Sequence, residues 1–255
     1  TLAQPVTMLT GAVGAITAGA SVLLRGNSLG AASGPGVAEL VALQTAPAAL
    51  GGGVAAGSFS MSIRPDILAD TSATGTGIAF ATYVGAAGTF TTGGPGFRPL
   101  LVTAGATTEL ASYLSAAGNA NVQLFSTAGG FITGNTTVNS LALAPGAGFT
   151  AAGAVPDSYT LTLTSGGLLA LPGTSSLTGG QIAPGASMFV WTPGASTVLN
   201  LNSAITGTNA VTKDGAGKLV IGTRQLYTGA TYVNSGTIQL SGGNDRLFVN
   251  ALGTG

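Results

Sequence analysis

The feature that most limits what this chain can fold into is a rhythm of short polar–apolar alternations cut off by Gly and Pro steps. Ser58-Phe59-Ser60-Met61-Ser62-Ile63 alternates, as do Thr160-Leu161-Thr162-Leu163-Thr164, Val198-Leu199-Asn200-Leu201-Asn202 and Thr237-Ile238-Gln239-Leu240-Ser241. A period of two sends the large side chains to one face of an extended strand. Between the bursts stand Gly93-Gly94-Pro95-Gly96, Pro145-Gly146, Gly166-Gly167, Pro184-Gly185 and Pro193-Gly194. Gly accepts positive φ and Pro presets φ at a corner, so these steps read as turns. Short strands with a corner every ~8 to 12 residues predict an all-β chain. Two stretches resist that reading: Val37-Ala38-Glu39-Leu40-Val41, and Leu110, Tyr113 and Leu114 at helical spacing. A short helix and an extended rung fit them equally.

Composition narrows the architecture. The 255 residues include 7 Lys or Arg and 7 Asp or Glu, a charged fraction of 5% with zero net charge, against about 25% in ordinary soluble domains. Between Glu109 and Lys213 the only Asp, Glu, Lys or Arg is Asp157. A β-sandwich or barrel of this length would place charges along its outward positions, and here Thr, Ser and Asn take those places. A parallel β-solenoid stacks like on like at ~4.8 Å, where identical charges repel and Thr, Asn and small residues form ladders. Low charge is then a consequence of stacking. The expected fold is a single elongated β-solenoid over residues 1–255. At ~20 to 25 residues per turn it would make roughly ten to twelve rungs, a rod about 50 to 60 Å long. Leu219 and Ile221 recur as Ile238 and Leu240 after 19 residues, which is about one turn.

The same composition excludes function classes. A neutral chain with so few cations has no electrostatic footprint for nucleic acid or an anionic membrane surface. His and Cys are absent, which removes disulfides, the usual zinc ligands and imidazole catalysis. No window is apolar enough for a transmembrane helix. The apolar run from Ala12 to Leu24 is followed, not preceded, by Arg25, so it does not read as a signal peptide. A chain that opens on Thr1 is expected to be a processed product or a piece of something longer.

The segment Lys213-Asp214-Gly215-Ala216-Gly217-Lys218-Leu219-Val220-Ile221, with Tyr227-Thr228-Gly229 and Val233-Asn234-Ser235-Gly236-Thr237-Ile238-Gln239-Leu240, resembles the autotransporter-associated β-strand repeat of large exported bacterial surface proteins. The best match covers residues 205–247. The motif positions are Gly215, Gly217, Leu219, Ile221, Tyr227, Gly229, Val233, Asn234, Gly236, Ile238 and Leu240. The chain departs from the family pattern at Thr223-Arg224-Gln225, where Gly-x-Asn is usual. The resemblance implies a right-handed parallel β-helix, extracellular at the cell surface, serving as a stalk, adhesin or passenger segment.

Other motifs read as structure when weighed residue by residue. Gly215-Ala216-Gly217-Lys218 lacks the first Gly and the Ser or Thr of a phosphate loop and reads as a rung-to-rung turn. Gly242-Gly243-Asn244-Asp245-Arg246-Leu247 is half of a calcium β-roll repeat without its second copy. Hydrolysis of a glycan needs two neighbouring carboxylates. Of Glu39, Asp66, Asp70, Glu109, Asp157, Asp214 and Asp245, only Asp66 and Asp70 are close in sequence. Phe189, Trp191 and Tyr159 are candidate sugar platforms or core aromatics. Thr160, Thr162 and Thr164 form one row of an ice-binding pattern, and Asn135-Thr136-Thr137 is a glycosylation sequon. The expectation is a protein without catalysis, metal or cofactor. Its partners are further copies or neighbouring repeats joined end to end, with a surface glycan or protein as a possible ligand. A self-assembling subunit of a filament or surface layer is the alternative, and a carbohydrate-active β-helix enzyme the third reading.

Overall fold

A computed structural model describes residues 6–11, 13–31, 34–42, 47–53, 57–84, 96–101, 109–114, 118–126, 130–151 and 159–241. These residues form strands and turns with no α-helix, as the alternation predicts. They divide into two compact units. One comprises Thr1–Thr17 and Ser21–Glu109; the other comprises Ala18–Ala20 and Leu110–Gly255.

The first unit holds β1 (Val6–Thr10), β2 (Val22–Arg25), β3 (Ala38–Ala42), β4 (Arg64–Asp70), β5 (Ile78–Val84) and β6 (Gly96–Pro99). β1 and β3 run parallel, as do β2 and β4. β5 is antiparallel to both β4 and β6, so the expectation of parallel rungs along the whole chain is corrected here. The reason lies in residues 71–77, which are too few for the crossover a parallel pair requires. The Asp70 carboxylate folds them back by accepting from the amides of Ser72 (2.9 Å) and Gly77 (3.2 Å). Leu29, Ile67, Ala69, Ala81 and Phe97 form the core, and Tyr83 stands edge-on to Phe97 at 5.2 Å. Residues 38–42 are strand, which decides against a helix there. The alternation from Ser58 to Ile63 forms turns and isolated bridges, Leu50 to Ile63 and Gly53 to Met61, before β4 begins.

The second unit is a parallel β-solenoid of about five turns. This is fewer than the ten to twelve expected from full-length rungs, because the first unit follows another plan. Its strands are β7 (Asn121–Leu124), β8 (Phe131–Ile132), β9 (Thr136–Leu143), β10 (Gly148–Ala151), β11 (Thr160–Ala170), β12 (Thr174–Pro184), β13 (Met188–Trp191), β14 (Val198–Ile205), β15 (Val211–Asp214), β16 (Lys218–Ile221), β17 (Thr231–Val233) and β18 (Thr237–Leu240). Every pairing among them is parallel. Residues 110–114 contribute a bridge from Ala111 to Val122 and no helix.

Columns of stacked side chains fill the solenoid, Leu199, Leu219 and Ile238 among them. Val122, Leu141, Leu168 and Val190 stack in register on one wall. Phe149, Leu177, Leu201, Ile221 and Leu240 stack on the second, and Leu161, Ile182 and Ile205 on the third. Each fully buried aliphatic contributes roughly 1.5 to 3 kcal/mol, and in-register stacking gives each one a like-sized neighbour above and below. Polar ladders run beside the columns. Asn139 Nδ2 and Ser140 Oγ both donate to Asn121 Oδ1 (2.8 Å each), and Thr164 Oγ1 donates to Asn139 Oδ1 (2.9 Å). Uncharged side chains can bond their copies on the next rung, whereas identical charges would repel.

Candidate functional site

The motif residues come together as the last described rungs of the solenoid. Leu219 and Ile221 are buried between Leu199 and Leu201 on one side and Ile238 and Leu240 on the other. Tyr227 is buried, with its hydroxyl 2.7 Å from Thr231 Oγ1. Ile238 is half-buried, whereas Val233 and Leu240 are 49% and 48% exposed. Asn234 Nδ2 donates to the carbonyl of Gly19 at 2.9 Å, and the Gly19 amide donates to Thr212 Oγ1 at 2.9 Å, so Ala18–Ala20 lies along these rungs.

The motif glycines are where corners of successive rungs meet backbone to backbone. A Cβ at Gly215, where φ is 90°, would be driven into the carbonyl of Thr192. One at Gly217 would stand 2.5 Å from the Thr197 oxygen, and one at Gly229 would strike the Asn209 carbonyl. Gly236, with φ 75°, faces the carbonyls of Gly215 and Gly217 and lies 2.5 Å, by its missing Cβ, from Lys213 Nζ.

Lys213 is the residue whose role the sequence reading missed. It occupies the column position after Val190 and before Val233 and is fully buried. Its Nζ donates to the carbonyls of Gly215 (2.5 Å), Gly217 (2.9 Å) and Ser235 (2.8 Å), with that of Asp214 at 3.4 Å. Burial pulls its ammonium down to about 8, against the opposing pull of the Asp214 carboxylate. Between pH 8 and 10.5 the unfolded chain therefore holds a proton that the folded chain has released, and stability rises with pH across that window. Urea midpoints measured from pH 7 upward are expected to show the wild type gaining on Lys213→Met over that range; a constant difference would contradict it. The spacing could have signalled this placement: Lys213 shares the parity of inward-facing Val211.

The converging carbonyls also decide the phosphate-loop reading. The amides of Gly217 and Lys218 bond the Thr192 and Thr197 carbonyls, and that of Gly215 bonds Asp214 Oδ1 at 2.5 Å. An anion cradle presents amides; this corner presents oxygens.

At Thr223-Arg224-Gln225, Gln225 takes over a strand's work. Its Oε1 accepts from the Ile205 amide (2.9 Å) and its Nε2 donates to the Thr223 carbonyl (3.0 Å). The primary amide thus imitates a peptide unit beside β14.

Three of the described acids are held by arginines, and Asp214 Oδ1 accepts from the Gly215 amide. Asp66 is chelated by Arg64 (2.8 and 2.6 Å), Asp70 by Arg25 (2.7 Å), and Glu109 by Arg98 (2.6 and 2.7 Å). Asp66 and Asp70, the pair close in sequence, are thus tied to different cations. Asp157, Asp245 and the Gly242-to-Leu247 segment lie outside the described residues. Among the described residues no group of three or more His, Cys, Asp or Glu is placed to hold a metal ion, and no helix is long and apolar enough to cross a membrane.

Thr160 and Thr162 are in register with Gln181 and Ala183 on the next rung, so the Thr row does not repeat there. Phe189 and Trp191 are buried on the face of β13 opposite Val190, and Tyr159 packs half-buried against the core. Asn135 Oδ1 accepts from the Thr160 amide at 2.9 Å. No protein-family model matches the chain, and no curated protein or solved structure matches it.

Proposed function

We propose that this chain is a structural or adhesive segment of an extracellular, cell-surface β-solenoid, a right-handed stalk or passenger without catalysis. The observation that carries the reading is the use made of the motif. Its glycines admit backbone contact between corners, its aliphatics stack, Lys213 satisfies the Ser235 carbonyl of the next rung, and Gln225 satisfies the Ile205 amide of the preceding one. A solenoid is compatible with a structural or adhesive role, and the resemblance to the autotransporter-associated repeat supports an exported one.

The test is exposure of the purified chain to a panel of polysaccharides and surface glycans. Retention without release of reducing ends is the expected result. Release that disappears in Asp66→Ala or Asp70→Ala would replace this reading with that of a carbohydrate-active enzyme.

Self-assembly is the second reading. Among the described residues β17 and β18 each pair on one side only, and inward positions Val233 and Leu240 are exposed there. Such an edge is suited to another chain's strand carrying a like column, and a second copy supplies one. Light scattering that grows with concentration, with filaments in electron micrographs, would favour a filament or surface-layer subunit; a constant monomer mass would favour the stalk segment.

A further inference from the structure

We propose that the corner formed by the carbonyls of Gly215, Gly217 and Ser235 is a primary-amine site, which the chain fills with its own Lys213, and that its occupancy keeps the rung of β17 and β18 docked in register.

Stoichiometry is the first argument. An ammonium carries three protons and accepts nothing, and three carbonyl oxygens stand within 2.9 Å of Nζ. The second is shape. The column leading to the oxygens is apolar, with Val190 before Lys213 and Val233 after it, so the site accommodates an unbranched alkyl stem with a compact head. Gly236 leaves the head its space, since a Cβ there would lie 2.5 Å from Nζ. The third is position. Gly215 and Gly217 belong to the corner between β15 and β16, and Ser235 to the corner between β17 and β18. One nitrogen therefore ties two successive rungs, alongside the bonds from the Asn234 amide to the Lys213 carbonyl and from the Thr237 amide to the Gly217 carbonyl. With the amine gone, the carbonyls of Gly215 and Ser235 lose this donor and that of Gly217 keeps the Thr237 amide, and water reaches the freed oxygens most easily when the outer corner, already exposed at Ser235 and Gly236, lifts away.

The test reads amide exchange by mass spectrometry. Lys213→Ala removes the part of the side chain that n-propylammonium can replace. Exchange at β17 and β18 is expected to quicken at least about tenfold, the equivalent of one lost charge-assisted hydrogen bond, while β11, β12 and β14 keep their protection. Millimolar n-propylammonium should restore slow exchange, and 1-propanol or a trimethylated propylammonium should not. Uniform quickening over the whole solenoid, no quickening, or equal rescue by propanol would each overturn the proposal. The native protein gives an independent reading, because Lys213 and Lys218 are its only lysines. A proton–nitrogen correlation spectrum is expected to show one ammonium whose protons exchange slowly with water. Two fast-exchanging ammonium groups would overturn the proposal even if Lys213→Ala failed to fold.

Discussion

Leu219→Lys is expected to cost the solenoid about 4 kcal/mol or more, most of the stability of a domain at the lower end of the ordinary range of about 5 to 15 kcal/mol. Leu219 is 1% exposed and stacks between Leu199 and Ile238. The substitution removes a buried aliphatic, worth roughly 1.5 to 3 kcal/mol, and puts a charge where the neighbours above and below are hydrocarbon. Leu219 and Lys213 both face the inside of the same rung, but Lys213 stands near the end of its strand, where the next corner turns its carbonyls inward. Leu219 is followed by Val220 and Ile221, whose backbone is committed to the ladder with β14 and β18. Urea unfolding followed by circular dichroism measures the loss; a change below about 1 kcal/mol would show that this column is not the packed interior described here.

That contrast also shows what sequence can and cannot reveal in such a chain. The bursts at Thr160 to Thr164, Val198 to Asn202 and Thr237 to Leu240 became strands because alternation is a local property, and stacking merely repeats it. The 19-residue return of Leu219 as Ile238 was visible for the same reason. The first unit was not legible. Its antiparallel pairing depends on how the Asp70 carboxylate ties its own loop, and the burst at Ser58 to Ile63 alternates as well as any strand yet pairs only through bridges. Period two predicts two faces without saying what covers them: Phe189 and Trp191 alternate with Val190 as an outward pair should, and both are buried. The acids misled in a further way. Sequence proximity singled out Asp66 and Asp70, whereas the fully buried Glu109 is paired with Arg98, eleven residues away.

Breaking that pair by Arg98→Met is expected to destabilise the first unit by about 3 to 5 kcal/mol, the usual consequence of leaving one buried charge without its partner. Glu109 is fully buried, and Oε1 accepts from Arg98 Nη2 (2.7 Å) and the Gly57 amide (2.8 Å). Oε2 accepts from Arg98 Nη1 (2.6 Å) and the Leu101 amide (3.0 Å). Burial alone would push this carboxyl up; the bonds from Arg98, Gly57 and Leu101 outweigh it and hold it below the ordinary value of 4.5. The folded state therefore releases this proton more readily than the unfolded state. Its contribution is complete above pH 4.5 and is lost as pH falls through the depressed value. In Arg98→Met both the bonds and the charge of the guanidinium are gone, and burial, the largest single influence on the carboxyl, is opposed only by the Gly57 and Leu101 amides and is expected to prevail. The carboxyl then binds its proton more tightly folded than unfolded, and the dependence changes sign: acid should weaken the wild type and relieve the variant. Amide exchange at β4, β5 and β6, followed from neutral pH down to about 4 and corrected for the intrinsic pH dependence of exchange, distinguishes the two directions. If the gap between wild type and variant stayed constant over that range, the Glu109 carboxylate would be exposed to solvent, and the Arg98 pair would contribute no more than a surface ion pair does.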